Sequence, residues 1–123
     1  MQCFVAMNFA DEYDSAYQSI AEAVKECGFN PYCVKGLQHN DDITDLIIAG
    51  IRKSRFVIAE FSGERPSVYY EAGYAKGLRK EVIWVARKGE QLHFDIRQYN
   101  HIIWSDTVDL KNQLIARIEA TIK

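Results

Sequence analysis

The sequence predicts a doubly wound α/β domain, a parallel sheet with helices on both faces. Three observations lead there. Apolar runs of strand length alternate with stretches of helical periodicity along all 123 residues. The strand-like runs are nearly continuous rather than alternating, as in strands buried on both faces. No repeat or low-complexity segment breaks the pattern, so each helix serves as a right-handed crossover between parallel strands. For five strands the usual order is 2-1-3-4-5, the flavodoxin-like arrangement.

The elements follow in order. "CFVAM" (3–7) is rich in branched and aromatic residues and reads as the first strand. The loop "NFADEYD" leads into a helix capped by Asp14, with Ala16, Ile20, Ala23, Val24 and Cys27 facing inward and Gly28 as its stop. "NPYCVK" (30–35) is the second strand, and Pro31 at its start assigns it to an edge. After the polar loop "GLQHNDD", Asp41 or Asp42 caps "ITDLIIAGIRKS", whose Ile43, Leu46, Ile47 and Ile51 face the sheet. The nearly unbroken "RFVIAEF" (55–61) is the central strand. "SGERPS" precedes a third helix containing "VYYEAGYA", and "EVIWVAR" (81–87) is the fourth strand. A long loop, "KGEQLHFDIRQYN", leads to "HIIW" (101–104). The closing helix, "VDLKNQLIARIEATIK", turns Val108, Leu110, Leu114, Ile118 and Ile122 inward.

Composition narrows the functional classes. A chain of this length forms one domain that buries roughly two-thirds of its unfolded surface without metal or disulfide support. With 48% hydrophobic and 26% charged residues and a net charge of −2, it offers no electrostatic basis for binding polymeric nucleic acid or an anionic membrane. Cys3, Cys27 and Cys33 are odd in number and lack metal-ligand spacing, so the expectation is buried free thiols and no metal or cofactor. His39, His93 and His101 are likewise read as non-metal. The N-terminus has neither a basic leader region nor a small-residue cleavage site, and no apolar run approaches membrane-spanning length; the expected location is the cytoplasm.

The site argument begins with an acid in an unusual position. Counted in helical steps, Val68, Ala72, Ala75 and Leu78 form an apolar stripe, and Glu71 falls on it between Tyr70 and Tyr74. The helix macrodipole favours an acid near a helix start, but that accounts for one on the solvent face. An unpaired carboxylate on the buried face costs several kcal/mol unless it is hydrogen-bonded or opens onto a cleft. Small Ala72, Gly73 and Ala75 let the helix approach the sheet, and glycine at 73 and 77 costs about 1 kcal/mol each in a helix, suggesting a packing reason. Tyr70 and Tyr74 can bond a carboxylate or stack on a flat ligand.

"FVAMNF", "ITDLIIAGIRKSRFVIAEFSG", "VYYEAGYAKGLRKEVIWV" and "FDIRQYNHIIW" together resemble the nucleoside 2-deoxyribosyltransferase-like superfamily, in particular its short bacterial and phage branch bordering TIR-like domains. The most specific element is Tyr70-Glu71-x-Gly73-Tyr74-Ala75. The resemblance implies that Glu71 is the nucleophile at the anomeric carbon of a ribosyl or deoxyribosyl group, and that Asp45 aids proton transfer at the base or orients the sugar; the alternative for Asp45 is a first-turn helix acid. Met7, Asn8 and Phe9 would hold the base or else anchor their loop, and His39 would face the cleft. Relatives carry Asp at the end of strand three and asparagines in the next loop. This chain has Glu60, Ser62, Gly63, Arg65 and Ser67 there, which puts the usual sugar contacts in doubt. Arg65 is then either a phosphate ligand, favouring a nucleotide, or a solvated loop residue. The expected partner is a small nucleoside, nucleotide or NAD, and the expected assembly a homodimer or larger, with Tyr69, Tyr99 and Trp104 as exposed contacts. The implied activity is N-glycosidic cleavage or transfer. Alternatives are a TIR-like NAD glycohydrolase or signalling domain, and a non-catalytic nucleotide-binding module.

Overall fold

The computed structural model describes residues 1–34, 43–92 and 99–122, with the side chains of Ile43 and Thr44 left out. His39, His93 and the two helix-cap aspartates, Asp41 and Asp42, lie outside the described residues. The elements are β1 (Gln2–Ala6), α1 (Asp14–Glu26), β2 (Asn30–Tyr32), α2 (Ile43–Lys53), β3 (Ser54–Glu60), α3 (Pro66–Gly77), β4 (Glu81–Arg87), β5 (Ile102–Trp104) and α4 (Thr107–Thr121). All strand pairs are parallel, in the order β2-β1-β3-β4-β5. This is the flavodoxin-like arrangement expected from the alternation.

The pleat divides the core in two. On β3, Phe56 and Ile58 face a layer closed by Ile20 and Val24 of α1 and Leu110, Leu114 and Ile118 of α4. Val57 and Ala59 face the other way, against Ile51 of α2 and Val68, Ala72 and Ala75 of α3. Burial on both faces is why these strands read as continuous apolar runs.

Several local expectations are corrected. Asp14 is the first residue of α1 rather than its cap, because a 3-10 turn at Asp11–Tyr13 already delivers the chain in helical geometry. Strand β2 ends at Tyr32, earlier than expected, with Pro31 on the edge as anticipated. Val108 is 69% exposed: α4 starts at Thr107, capped by Asp106 accepting from the Asp109 amide, and Val108 lies off the Leu110–Leu114–Ile118 stripe. Only Cys3 among the thiols is fully buried. Gly73 and Gly77 have no packing reason in the structure, since an added Cβ would meet nothing within 4 Å at either. The glycine that matters for packing is Gly50, where a Cβ would stand 2.6 Å from the Tyr32 ring and 3.0 Å from Phe4; α2 therefore lies closely over β1 and β2.

Candidate active site

In a doubly wound sheet the winding reverses between β1 and β3, and ligands bind beyond the carboxyl ends of the strands there. The loops following these two strands do meet. Gly63 adopts φ +82°, and a Cβ at that position would lie 2.6 Å from Asn8 Nδ2 and 2.7 Å from the Tyr13 hydroxyl. Glycine is required twice over, by the left-handed backbone and by the close approach. The Gly63 amide donates to Glu90 Oε1 at 3.0 Å, and the Arg87 amide donates to Ser62 Oγ at 3.0 Å. The β3–α3 loop is thus braced by the end of β4.

Helix α3 starts at this end of the sheet. Pro66 supplies the fixed φ that suits a first helical position, and Arg65 precedes it in extended geometry. Glu71 is the sixth residue, about 7.5 Å along the axis from the helix start, on the face that buries Val68, Ala72 and Ala75. It is 8% exposed. Among the described residues no hydrogen bond or salt bridge reaches its carboxylate. Burial pushes its pKa up to about 7, opposed only in part by the Arg65 guanidinium. A carboxyl group raised in this way by burial, with no partner among the described residues, is poorly solvated once ionised, which suits a nucleophile or a stabiliser of positive charge.

The other expected site residues divide into three groups. Glu60 and Ser62, expected to contact substrate, are each 1% exposed and bonded internally. Glu60 accepts from the Ser62 amide (2.7 Å), the Ser62 hydroxyl (2.7 Å) and Trp104 Nε1 (2.8 Å). In the structure both side chains are engaged within the loop, where one carboxylate accepts from three interior donors. Met7, at 5% exposure, belongs to the core. Phe9 packs against that core with its ring edge-on to Tyr17. Both side chains thus pack inward from their loop. Trp104, expected to be an exposed contact, is 5% exposed with its indole on Glu60, while Tyr69 and Tyr99 are half-buried against Phe61 and Trp84.

A second group is tied elsewhere. The Tyr74 hydroxyl accepts from Arg52 Nε at 2.9 Å, linking α3 to α2. Asn8 uses Oδ1 to accept from the Ala10 amide at 2.9 Å. The third group is exposed: Asp45 in the first turn of α2, and Gly63, Arg65, Ser67 and Tyr70 at the loop and start of α3. His39 lies outside the described residues.

Sequence reasoning missed Tyr13. Its ring is buried in the α1–α4 layer, 5.7 Å from the Arg87 guanidinium, yet its hydroxyl stands at the Gly63 turn. Nothing periodic marks a tyrosine inside "NFADEYD"; only the 3-10 turn brings it there. Among the described residues there is no grouping of side chains that could hold a metal ion, and no helix is long and apolar enough to cross a membrane.

No protein-family model matches the sequence, and no curated protein matches it. Similarity is found among solved structures. The CMP N-glycosidase BcmB of Clostridium botulinum superposes with a TM-score of 0.75 at 17% identity, over 93% of this chain and 98% of that one. A 2-deoxyribosyltransferase from Bacillus psychrosaccharolyticus gives 0.64 at 17% identity, over 91% of each chain. The TIR domain of the Toll-related receptor TRR-2 from Hydra magnipapillata gives 0.68 at 12% identity, over 96% and 94%. The chain has the fold shared by 2-deoxyribosyltransferase-like enzymes and TIR domains, as its sequence resemblance implied.

Proposed function

We propose that this protein cleaves or transfers the N-glycosidic bond of a nucleoside or nucleotide with Glu71 as the nucleophile. The observation that carries the reading is the Glu71 carboxylate itself: buried on α3, unpartnered among the described residues, with its pKa raised to about 7. A structural glutamate in that position would be expected to have acquired donors, as Glu60 has.

The chemistry follows from the charge. As the C1′–N bond lengthens, positive charge grows on the anomeric carbon and the bonding pair moves to the base. A desolvated carboxylate beside C1′ stabilises that charge and can close on it as a glycosyl ester. The departing base takes a proton from solvent or from an acid at the site, a role open to Asp45. Water then attacks C1′ of the ester, freeing the sugar and restoring the carboxylate; a second base attacking in its place gives transfer. Exposed Arg65, whose charge is felt at Glu71, would suit a 5′-phosphate, and the likeness to a CMP N-glycosidase supports a nucleotide substrate. The likeness to a TIR domain supports a second reading in which NAD is the substrate. We also infer assembly into a homodimer or larger.

Incubation of the purified protein with nucleoside 5′-monophosphates, deoxynucleosides and NAD separately, with chromatography of the products, tests the proposal. Free base is expected from a monophosphate and absent with Glu71→Gln. Release that survives the substitution removes Glu71 from the mechanism. Release of nicotinamide alone selects the NAD reading. No release from any substrate, with a nucleotide still bound, leaves a binding module and ends the catalytic proposal.

A further inference from the structure

We propose that a second binding site, for a small di- or polyphosphate anion, lies beyond the C-terminus of α3, beside the first residues of β4. An open cleft of about 550 Å³ there is lined by Lys76, Arg79, Lys80, Glu81, Asn100 and Arg117, with a wall from β4. Four cations thus face one acid, in a chain whose net charge is −2. An adjoining cleft shares Arg79, Lys80 and Glu81 and adds Lys53 and Arg55.

Three of these cations are already fixed. Lys80 Nζ donates to the carbonyls of Arg52 (2.9 Å) and Ser54 (2.7 Å), which leaves its third N–H for another acceptor. Arg117 Nη1 donates to the Asn100 carbonyl at 3.0 Å, leaving its other guanidinium donors to spare. The Lys76 ammonium sits 5.0 Å above the Tyr99 ring. Side chains held in this way lose little rotamer freedom when an anion arrives.

Arg79 separates this arrangement from ordinary helix-end chemistry. Cations are favoured at helix C-termini by the macrodipole, which accounts for Lys76 in the last turn of α3. Arg79, however, adopts φ +62° just beyond α3, a left-handed conformation normally given to glycine or asparagine. The conformational penalty is at least as large as the macrodipole gain, so helix termination does not select arginine here. Its side chain lines both clefts.

The ligand class follows from size and charge. The volume falls in the range of small-molecule sites, and the lining carries three positive charges after Glu81 is subtracted. That balance suits a compact anion of comparable charge, and the arginine forks match phosphate oxygens. Single-stranded nucleic acid would call for a longer charged groove with stacking platforms.

Calorimetric titration of the full chain with inorganic tripolyphosphate at low salt is the test. Saturable binding is expected, weakening as salt is added and about tenfold weaker in Arg79→Gly. That variant should melt no lower than the wild type, because glycine accepts the left-handed backbone. Lys76→Ala, at an exposed helical position, should weaken binding without touching the strained residue, and Glu71→Gln should bind like the wild type. The proposal is overturned by the absence of saturable binding, by undiminished binding in Arg79→Gly combined with Lys76→Ala, or by loss of binding in Glu71→Gln. Tighter binding of a short single-stranded oligonucleotide than of tripolyphosphate would overturn the ligand class.

Discussion

Glu60 and Glu71 are both buried, on either side of one short loop, and the protein treats them in opposite ways. Glu60 closes β3 and accepts three hydrogen bonds that tie the loop to β5 through Trp104. Glu71 lies on α3 with its oxygens unclaimed by any described donor. Burial raises the proton affinity of both carboxyls, but bonds from Ser62 and Trp104 pull Glu60 back, whereas Glu71 is opposed only by the charge of the Arg65 guanidinium. The comparison teaches that burial alone does not set a carboxylate's environment; the donors around it do.

The largest expected effect tests the comparison at Glu71, the proposed nucleophile. Glu71→Gln should lower the rate of base release by at least about a thousandfold while raising stability at pH 8 by about 1–3 kcal/mol, because it removes a poorly solvated charge. Single-turnover chromatography and urea unfolding read the two separately. A loss of activity accompanied by a comparable loss of stability would make Glu71 a structural residue after all.

On the structural side, Glu60→Ala should cost about 3–5 kcal/mol, since it leaves a cavity and strands the Trp104 and Ser62 donors. Enough folded protein at low temperature should still release base within about tenfold of the wild-type rate. A selective loss of turnover with stability intact would put Glu60 in the reaction and erase the contrast.

A pH series sharpens the difference. The folded-state pKa of Glu71, about 7, lies above its ordinary value of 4.5, so the native state holds an extra proton between those limits. Stability should therefore fall as pH rises from 4.5 to about 7 and level off above, while activity climbs through the same upper limit as the carboxylate ionises. In Glu71→Gln the part of the slope due to this residue should vanish. A slope unchanged by the substitution would show that the proton resides elsewhere, with Glu60 as the first alternative.

Smaller effects probe the loop between the two acids. Gly63→Ala should destabilise by about 2 kcal/mol, from the left-handed backbone and the crowding of Asn8 and Tyr13. Trp104→Phe, which keeps an aromatic ring but removes the indole N–H from Glu60, should cost about 1 kcal/mol. Thermal unfolding of the two variants, singly and combined, would show whether the turn and the Glu60 network act as one unit.

The sequence was most informative where a single physical rule governed the outcome. Continuous apolar runs separated by helical periodicity leave a parallel sheet with two covered faces as the consistent solution, so strand order and helix placement were legible. The Glu71 anomaly was legible too, because helical geometry fixes which residues share a face: Val68, Ala72 and Ala75 carry Glu71 into the interior with them. Helix boundaries were less so, since the Asp11–Tyr13 turn displaced Asp14 from the cap it was expected to supply.

Only the tertiary structure decided what the polar side chains do. Glu60 and Ser62 lie together at the end of β3 and Trp104 at the end of β5, and no local pattern announces that the indole would cross to the carboxylate. Tyr13 reaches the Gly63 turn, and Arg79 takes its strained place beside Lys76 and Arg117, for the same reason. Periodicity determines which face a residue occupies, but a hydrogen bond depends on angstrom-scale meetings between segments distant in the chain, and those exist only once the sheet has assembled.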